Sequence, residues 1–549
     1  MSQEVPLEST LSAFYRWEQQ RADEVFLRQP FDNDWKEYNW SEVGQQVRKM
    51  ATHLKQSLPE NSKVAILSLN CAHWFMADLA IMMAGHISVP IYPTAGKDTI
   101  ATILEHSEAE LLFVGKLWDW PAKQEAIDDS LKKIGFFHQY EEFASWDQVV
   151  AQSEPMSESP VPDLSEIASI IYTSGTTGMP KGVMIDYMAF ANGAKAAIEY
   201  VDMQKEHFFS YLPLAHCAER ELVEIISIHS GSVVSFTESL DTFQQNILDV
   251  KPTIFLGVPR IWLKFQQGIE AKVGKVKLAI LLKIPLIGKL LKKKIIAGLG
   301  LDKVKVALSG AAALPAGTLA FFEKLGLNIC EAYGLTESMA FGTANIPQAR
   351  AAGSVGLAIK SGEVKIAEAS GEVLLKSPCI MQGYYKEPLK TEKVLTEEGY
   401  LKTGDLGTFD EQGFLNITGR VKDIFKTSKG KYVSPIPIEA KLEPELGVDN
   451  LCVIGDGLPS PVAVASVYGK TLNDQTAYVK EAEVLLQKIN GCLEKHEKLS
   501  HILLVGDEWS PDNGLITPTL KIRRPQLEER YKDLIEKHRK SPQKVIWVS

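Results

Sequence analysis

The stretch IIYTSGTTGMPKGVM, residues 170–184, decides the fold and the chemistry that this sequence predicts. Its first three residues are typical of the end of a buried strand. The next six, 173–178, hold four hydroxyl side chains and two glycines. Glycines let the backbone approach a ligand closely, hydroxyls donate hydrogen bonds, and Lys181 adds a mobile positive charge. The stretch therefore predicts a loop that wraps a polyphosphate.

This loop differs from a P-loop at two positions. Counted from Gly175, the pattern G-x-x-x-x-G-K-[ST] needs Gly at 180 and Ser or Thr at 182, whereas the chain has Pro180 and Gly182. No helix should begin at once after Lys181, and no hydroxyl follows it to hold magnesium. A surface turn rich in Ser, Thr and Gly has the same composition, so the prediction needs support from distant parts of the chain.

Composition excludes several classes of protein. At 549 residues the chain should form two or more domains. A net charge of −10 argues against a nucleic-acid surface. The six cysteines form no C-x-x-C pair, which fits free thiols in a reducing compartment and predicts no cysteine metal site.

The N-terminal residues show no secretory signal, so we expect a cytoplasmic protein. The most apolar region, 74–93, is interrupted by Asp78 and His86 and ends in VPIYPT. It predicts a buried helix followed by a strand, and no transmembrane helix.

The predicted fold class is α/β. A helix over 40–56, with Ser41 as a candidate cap, precedes a buried strand at 63–70, and such alternation is typical of parallel sheets covered by helices. The Ser- and Pro-rich residues 152–165 predict a mobile loop. Four later segments each place a strand before a polar or Gly-containing turn, so their carboxyl ends should line one cleft with the phosphate loop: 208–216, 253–262, 304–315 and 327–338.

From about residue 350 the pattern changes to short alternating runs with turns such as DEQG at 410–413. We therefore predict a large N-terminal domain over 1–420, made of parallel-sheet α/β subdomains and a small β-rich subdomain. A small, mobile α+β C-terminal domain should follow over 421–549.

Two polar pairs are candidate ligand contacts. Thr336 and Glu337 follow a Gly-containing turn, and magnesium usually bridges one carboxylate to substrate phosphates; a capping role at a helix start is the alternative for Glu337. Asp405 and Arg420 are fifteen residues apart across a predicted hairpin. They could bind ribose hydroxyls and a second ribose oxygen or a phosphate, although an Asx-turn and a surface arginine explain each motif alone.

The order of the motifs identifies the family. YTSGTTGMPKG, LPLAH, SGAAAL, YGLTES, TGD, GRVKD and the lysine of ITPTLKIRR follow one another along the chain. Across residues 40–525 this set resembles that of the acyl-adenylate-forming superfamily. LPLAHCAERELVE, VPRIW and DIFKTSKGKYVSPIPIE are most similar to long-chain fatty acyl-CoA synthetases.

The resemblance implies a two-step reaction. ATP, with magnesium, activates a fatty acid as acyl-AMP with loss of pyrophosphate, and the thiol of coenzyme A then takes the acyl group. By this resemblance, Lys521 would bridge the fatty-acid carboxylate and the α-phosphate of ATP. Lys422 would be the hinge about which the C-terminal domain swings. His216 would lie at the carboxylate end of the acyl pocket, unless it is a core histidine with one satisfied nitrogen.

The remaining implied contacts involve the nucleotide and its magnesium. The phosphates would be held by Thr173, Ser174, Gly175, Thr176, Thr177, Gly178 and Lys181. The adenine face and the adjoining turn would use Gly310, Ala311, Tyr333 and Gly334, the ribose Asp405 and Arg420, and magnesium Glu337 with Thr173.

Two other functions share these motifs: an acyl-AMP ligase that delivers the acyl group to a carrier protein or another acceptor, and a catalytically silent acyl or nucleotide sensor. The chain departs from the family pattern at three places. Asp186 and Tyr187 stand where a hydroxyl and His are usual, and Ala313 stands where Pro is common. Lys429 stands where a second Gly is common, on the expected thiol side, so the motifs support coenzyme A as acceptor less strongly than adenylation itself.

The segment 272–296 is unlike the rest of this acidic chain. From Lys272 to Lys294 it has eight lysines and no acid, interleaved with Val, Leu and Ile. Such a segment could lie on an anionic membrane from which a fatty acid enters, which would put the protein at the inner membrane face. The alternative is a surface helix whose lysines extend along apolar neighbours.

Overall fold

The computed structural model describes residues 5–32, 34–137, 140–173, 179–448, 450–469, 474–511, 513–517 and 521–548. The chain forms two compact units. The first comprises Met1–Leu314, Thr318–Val364 and Leu375–Leu401, and the second Pro315–Gly317, Lys365–Leu374 and Lys402–Ser549.

Helices occur in both units. A π-helix, Arg220–Ile225, lies between two short α-helices, and a 3₁₀ turn covers Thr336–Ser338. The α-helices are α1 (Thr10–Gln20), α2 (Trp40–Ser57), α3 (Ala72–Met83), α4 (Lys97–Ser107), α5 (Trp120–Gln124), α6 (Trp146–Gln152), α7 (Tyr187–Tyr200), α8 (Cys217–Glu219), α9 (Ile226–Ser230), α10 (Phe243–Val250), α11 (Pro259–Val273), α12 (Lys275–Leu281), α13 (Pro285–Gly298), α14 (Ala316–Leu325), α15 (Pro388–Val394), α16 (Ile436–Leu446), α17 (Gln475–Gly491) and α18 (Arg524–His538).

The strands of the described residues form several separate sheets. They are β1 (Val25–Phe31), β2 (Asp34–Asn39), β3 (Lys63–Leu67), β4 (Ile87–Ile91), β5 (Ala109–Val114), β6 (Lys132–Gly135), β7 (Ile167–Thr173), β8 (Lys181–Asp186), β9 (His207–Ser210), β10 (Val233–Phe236), β11 (Ile254–Leu256), β12 (Val306–Ser309), β13 (Ile329–Tyr333), β14 (Thr343–Ala344), β15 (Leu357–Ala358), β16 (Glu363–Ile366), β17 (Glu372–Lys376), β18 (Gly383–Tyr384), β19 (Leu401–Phe409), β20 (Leu415–Arg420), β21 (Phe425–Lys426), β22 (Tyr432–Val433), β23 (Asn450–Ile454), β24 (Val462–Ser466), β25 (His501–Val505) and β26 (Val545–Val548).

Two largely parallel sheets organise the first unit, as the alternating pattern predicts. One has the order β18-β8-β7-β4-β3-β5-β6, and β7, β4, β3, β5 and β6 run parallel. The other has the order β15-β14-β13-β12-β11-β9-β10-β1-β2 and is parallel from β13 to β1. Its strands β9, β11, β12 and β13 come from the four segments predicted to share a cleft. They are neighbours, so their carboxyl ends lie at one edge.

The most apolar region is a buried helix and a strand, as predicted. Every residue of α3 is buried, and β4 follows it. The Asp78 carboxylate inside α3 accepts two hydrogen bonds of 2.7 Å from Arg220, which explains how a charge is tolerated there. The helices of the described residues are each too short or too polar to span a lipid bilayer.

One local prediction, the cap of α2, needs correction. The cap of α2 is Asn39 and not Ser41: Asn39 Oδ1 accepts from Glu42 N at 2.7 Å, while Glu42 Oε2 accepts from Asn39 N, so the two residues satisfy each other. The region 152–165 lacks strands and lacks helix beyond Gln152, in agreement with a loop. Its backbone is nevertheless held by hydrogen bonds from Tyr15 and Arg48 to Pro160 and Glu158.

The β-rich region after residue 350 is also present. A four-stranded sheet has the order β16-β17-β19-β20. The predicted turn at 410–413 joins β19 to β20, and Asp410 Oδ1 stabilises it by accepting from Gln412 N and Phe414 N at 2.9 Å each. Asp410 has the Asx-turn role that its residue type favours.

The C-terminal part of the second unit is a mixed sheet, β23-β24-β25-β26, covered on both faces. Buried side chains of α16 and α17 belong to one hydrophobic cluster and those of α18 to the other. The six cysteines are free; all are buried except Cys492, which is exposed.

Candidate active site

The two ends of the predicted phosphate loop are fixed by an antiparallel pair of strands. β7 ends at Thr173 and β8 begins at Lys181, and these two residues are direct partners in the register. As predicted, no helix follows Lys181 at once; a strand continues to Asp186 before α7 starts. Residues 174–178, with the predicted contacts Ser174, Gly175, Thr176, Thr177 and Gly178, lie outside the described residues.

Tyr384 connects the loop lysine to the predicted metal ligand. Its ring centroid lies 4.8 Å from Lys181 Nζ, and its hydroxyl donates to Glu337 Oε1 at 2.8 Å. Strand β18 places Tyr384 there by pairing it with Val183 of β8. Burial, followed by the neighbouring Glu337 charge, raises the pKa of Tyr384, so the phenol keeps its proton and acts as a donor.

The turn that carries Thr336 and Glu337 is tightly constrained. A Cβ on Gly334 would lie 2.3 Å from the carbonyl carbon of Ala340, so this close approach requires glycine. Met339 and Ala340 both have left-handed backbones, with φ of 46° and 63°. Residues in such conformations cluster at functional sites.

The capping alternative for Glu337 does not describe this turn. Ser338 Oγ accepts from Leu335 N at 3.1 Å, so the serine caps the turn. Glu337 instead directs its carboxylate towards Tyr384. Its side chain is therefore turned towards the tyrosine ring that also lies beside Lys181.

His216 and Thr336 meet at Cys217. The thiol sulfur lies 3.5 Å from Thr336 Oγ1 and 3.8 Å from His216 Nδ1. His216 Nδ1 also accepts from Ala218 N at 3.1 Å, so in the neutral ring the proton is on Nε2. The ring is half-buried and packs edge-on against Tyr92, with centroids 6.4 Å apart.

Buried polar and charged side chains hold the segment that follows His216 in place. Glu219 Oε1 accepts from Ser210 Oγ at 2.8 Å and from Tyr211 N at 3.0 Å, which ties the end of β9 to α8. Burial raises the pKa of Glu219 to about 8, and the hydrogen bonds lower it only in part. Arg220 is fully buried; besides the Asp78 carboxylate it contacts Ser169 of β7. No spacing or motif in the sequence predicts a role for Glu219 or Arg220.

The predicted adenine segment follows β12. Ala311 has a left-handed backbone with φ of 68°, and residues 311–313 are exposed alanines. A Cβ on Gly310 would lie 3.2 Å from the carbonyl oxygen of Ala332 in β13, one residue before Tyr333. Glu331 accepts from Leu314 N at 3.1 Å and so closes this loop; burial raises its pKa to about 7. The segment offers a small, exposed apolar surface suited to a flat ring.

Asp405 and Arg420 are direct partners in the β19–β20 pair, as the predicted hairpin required. Arg420 Nε donates to Asp405 Oδ1 at 2.9 Å. Asp405 is buried, whereas the Arg420 side chain is 40% exposed. The pair thus combines a fixed carboxylate with an accessible guanidinium.

Lys422 and Lys521, like that pair, belong to the second unit. Both are exposed. Ile516 and Ile522 form a bridge, and inside it Lys521 N donates to Thr517 Oγ1 at 3.0 Å while Thr517 N donates to Lys521 O at 2.8 Å. The backbone of Lys521 is therefore anchored, and the exposed side chain projects from a fixed base.

The residues present fit a magnesium ion. Among the described residues no three His, Cys, Asp or Glu side chains are grouped to hold a metal by themselves. Magnesium needs no such cage, because one carboxylate and substrate phosphates with water complete its oxygen ligands. The Glu337 carboxylate and the Thr173 hydroxyl, the two predicted ligands, supply the oxygen donors that this ion prefers.

Comparisons with known proteins identify the family. Residues 14–385 match the family described as AMP-binding enzyme, and residues 422–542 match the AMP-binding enzyme C-terminal domain. The chain is 27% identical to the long-chain-fatty-acid–CoA ligase ACSBG2 of Xenopus laevis, over 94% of this chain and 81% of that protein. It is also 27% identical to the long-chain-fatty-acid–CoA ligase FadD15 of Mycobacterium tuberculosis, over 95% of each.

Solved structures share the fold. The anthranilate CoA ligase AuaEII in complex with anthranoyl-AMP has a TM-score of 0.78 at 20% identity, covering 96% of this chain and 98% of that chain. The adenylation domain of a carboxylate reductase from Mycobacterium chelonae has a TM-score of 0.80 at 20% identity, covering 96% and 91%. The first family match alone spans more than half of the sequence, and it includes the loop, Tyr384 and Glu337. The chain therefore belongs to the AMP-binding enzyme family.

Proposed function

We propose that this protein is an acid–thiol ligase that activates a fatty acid with ATP and transfers the acyl group to coenzyme A. One observation carries the proposal: Tyr384 contacts both the loop lysine, Lys181, and the carboxylate of Glu337. A cation and a metal-ligating carboxylate next to a phosphate loop are what a reaction on a nucleoside triphosphate requires. The named relatives are long-chain-fatty-acid–CoA ligases, which supports a fatty acid as substrate.

In the first step a carboxylate oxygen of the fatty acid attacks the α-phosphorus of ATP, and the bond to pyrophosphate breaks. The difficulty is repulsion between anions, so charge must be neutralised where it develops. Lys181 and the loop hydroxyls would hold the β- and γ-phosphates. Glu337 and Thr173 would hold Mg²⁺, which when bound lowers the negative charge of the phosphates.

Three side chains of the second unit have the chemistry of nucleotide contacts. Asp405 can accept hydrogen bonds from ribose hydroxyls, and the accessible guanidinium of Arg420 can donate to a ribose oxygen or a phosphate. Lys521 would place its ammonium between the fatty-acid carboxylate and the α-phosphate. Gly310 and Ala311 would line the adenine, and His216 the carboxylate end of the acyl pocket.

In the second step the thiol sulfur of coenzyme A attacks the acyl carbon, and AMP leaves with the bonding electrons. We propose that residues 421–549 then act as a mobile domain that turns about Lys422 and removes Lys521 from the site. The match of 422–542 to a separate C-terminal domain family supports a boundary near this residue.

One assay, the release of pyrophosphate that depends on added fatty acid, tests both the adenylation activity and the identity of the acyl acceptor. With a panel of fatty acids we expect repeated turnover in the presence of coenzyme A and a single burst in its absence. Turnover with a carrier protein but not with coenzyme A would identify an acyl-AMP ligase. Absence of release with every acid would identify a silent sensor and refute the proposal.

We also propose that the protein is cytoplasmic and makes a peripheral contact with the inner face of a membrane through the segment 272–296. The lysine content of this segment supports that placement, because anionic lipids attract basic segments.

A further inference from the structure

Helices α12 and α13 expose a cluster of large apolar side chains. Val276 is 74% exposed, Leu286 80% and Leu290 71%. Ile280, Ile284 and Ile287 are exposed as well. Isolated exposed apolar residues are ordinary, but six within fifteen positions form a patch of the kind that marks an interaction surface. We call the outer surface of α12 and α13, with these six residues and the lysines from 272 to 294, the α12–α13 face.

Helices α12 and α13 are nevertheless packed against the hydrophobic core on one side. Leu278 is buried in the hydrophobic cluster that contains Trp262 and Phe322, and a second set of side chains packs against the same cluster: Leu282, Leu291, Ile295 and Ile296. A Cβ on Gly288 would lie 2.6 Å from the carbonyl oxygen of Leu282, so glycine permits the close approach of the two segments. The helices therefore have one apolar side in the core and another directed outward.

The outward apolar residues follow helical spacing. Val276 and Ile280 are four residues apart on α12, and Leu286 and Leu290 are four residues apart on α13. Residues at this spacing lie on one side of a helix. Each helix thus presents a short apolar stripe outside the core.

The charged residues of this segment are all lysines. Eight lysines and no acid occur from Lys272 to Lys294, in a chain whose net charge is −10. Seven of the eight are exposed, and Lys292 is half-buried. In the described part of the chain none of them has an ion-pair or hydrogen-bond partner through its side chain. Their charge is therefore available to an external anion.

The combination favours one occupant. An acidic protein or a nucleic acid would use the lysines but would leave the exposed Leu and Ile side chains in water. An apolar protein partner would cover those side chains but would have to desolvate lysines that no carboxylate neutralises. A bilayer with anionic headgroups satisfies both, because acyl chains take up the apolar residues while headgroup charges meet the ammonium groups.

We propose that the α12–α13 face docks on an anionic lipid bilayer, with Val276, Ile280, Leu286 and Leu290 inserted at the boundary between headgroups and acyl chains. This inference rests on the proposed function for its purpose, since long-chain acids partition into bilayers and would be collected there. The docking itself needs no catalysis. It makes the enzyme a surface-bound catalyst whose substrate supply depends on lipid charge.

The test is flotation of the full-length protein with vesicles. We expect binding to phosphatidylcholine vesicles that contain about one third phosphatidylglycerol, little binding to phosphatidylcholine alone, and weaker binding at high salt. Changing Lys292, Lys293 and Lys294 together to Glu should lower the bound fraction on anionic vesicles at least about tenfold. Leu286→Ser combined with Leu290→Ser should lower it severalfold.

Matched controls separate the face from general surface effects. Lys532, Lys537 and Lys540, exposed lysines at the C-terminal helix, are changed together to Glu for an equal change of net charge. Leu240→Ser removes an 80% exposed leucine elsewhere. Both controls should float like the unchanged protein.

Three results would overturn the proposal: no flotation of the unchanged protein, equal loss in the lysine control, or unchanged flotation of the double leucine variant. Pyrophosphate release with the soluble acid octanoate is measured in parallel. Variants that lose flotation but keep release support docking on a working enzyme. Flotation of an unchanged protein that releases no pyrophosphate with any acid of the panel would refute the proposed function and leave the docking intact.

Discussion

The hydroxyl of Tyr384 donates to Glu337 Oε1 at 2.8 Å, while the same ring lies 4.8 Å from Lys181 Nζ. Three segments separated by about fifty to two hundred residues are thereby joined at one point. The tyrosine orients the carboxylate that we assign to magnesium and lies beside the lysine that we assign to the phosphates. It is a positioning residue, because its contacts are with these two groups.

Tyr384→Phe removes the hydrogen bond and keeps the ring. Hydrogen bonds to charged groups contribute about 1.5–3 kcal/mol, so we expect kcat/KM for acid-dependent pyrophosphate release to fall by about tenfold or more. The magnesium concentration for half-maximal rate should rise, which a purely structural tyrosine would not cause. Glu337→Gln is measured alongside. If the loss of activation free energy in the double variant equals the sum of the losses in the two single variants, the two side chains act independently.

Gly334→Ala tests the turn that presents Thr336 and Glu337. Its Cβ would lie 2.3 Å from the Ala340 carbonyl carbon, so the turn must shift. We expect adenylation to fall by about tenfold or more and stability by about 1–3 kcal/mol in urea unfolding. Gly268 in α11 has no atom within 4 Å of the corresponding position, and Gly268→Ala should keep the rate and raise stability by up to about 1 kcal/mol. Normal adenylation by the first variant would contradict the assignment.

Lys521→Ala and Lys422→Pro separate the two half-reactions. Without the Lys521 ammonium, acyl-AMP formation should fall by about 10² or more, while acyl-CoA formation from supplied acyl-AMP persists. Lys422→Pro restricts the proposed hinge, so adenylation should persist and thioester formation should fail. The two half-reactions are measured separately by pyrophosphate release and by consumption of acyl-AMP. If each variant loses both half-reactions to the same extent, the proposed alternation of the C-terminal domain is wrong.

The Glu219 carboxyl should make stability depend on pH. Burial raises its pKa to about 8 in the folded chain, above the ordinary 4.5 expected after unfolding. Its stabilising contribution is therefore fully present below the lower pKa and is lost as pH rises towards 8. From pH 6 to pH 8 the unchanged protein should lose about 2 kcal/mol more unfolding free energy than Glu219→Gln. Identical pH slopes in urea unfolding would show that this carboxyl ionises normally.

Local and ordered features of the site could be predicted from sequence. The hairpin that pairs Asp405 with Arg420 follows from a turn at 410–413 between alternating strands, and register then makes them partners. The parallel neighbours β9, β11, β12 and β13 follow from repeated strand–turn units. Tyr384 could not be found in this way, because no spacing relates it to Lys181 or Glu337. Strand β18 brings it there by pairing with β8.

The sequence by itself determined the order of the motifs and the parallel α/β class, because each depends on residue type and short-range spacing. Only the tertiary structure decided what supports them. It placed Tyr384 between lysine and carboxylate, buried Arg220 against Asp78, and left one side of α12 and α13 without a core to cover it. These relations depend on which strands become neighbours and which surfaces remain unpacked. Strand neighbours and unpacked surfaces are set by the whole fold and cannot be read from any single segment.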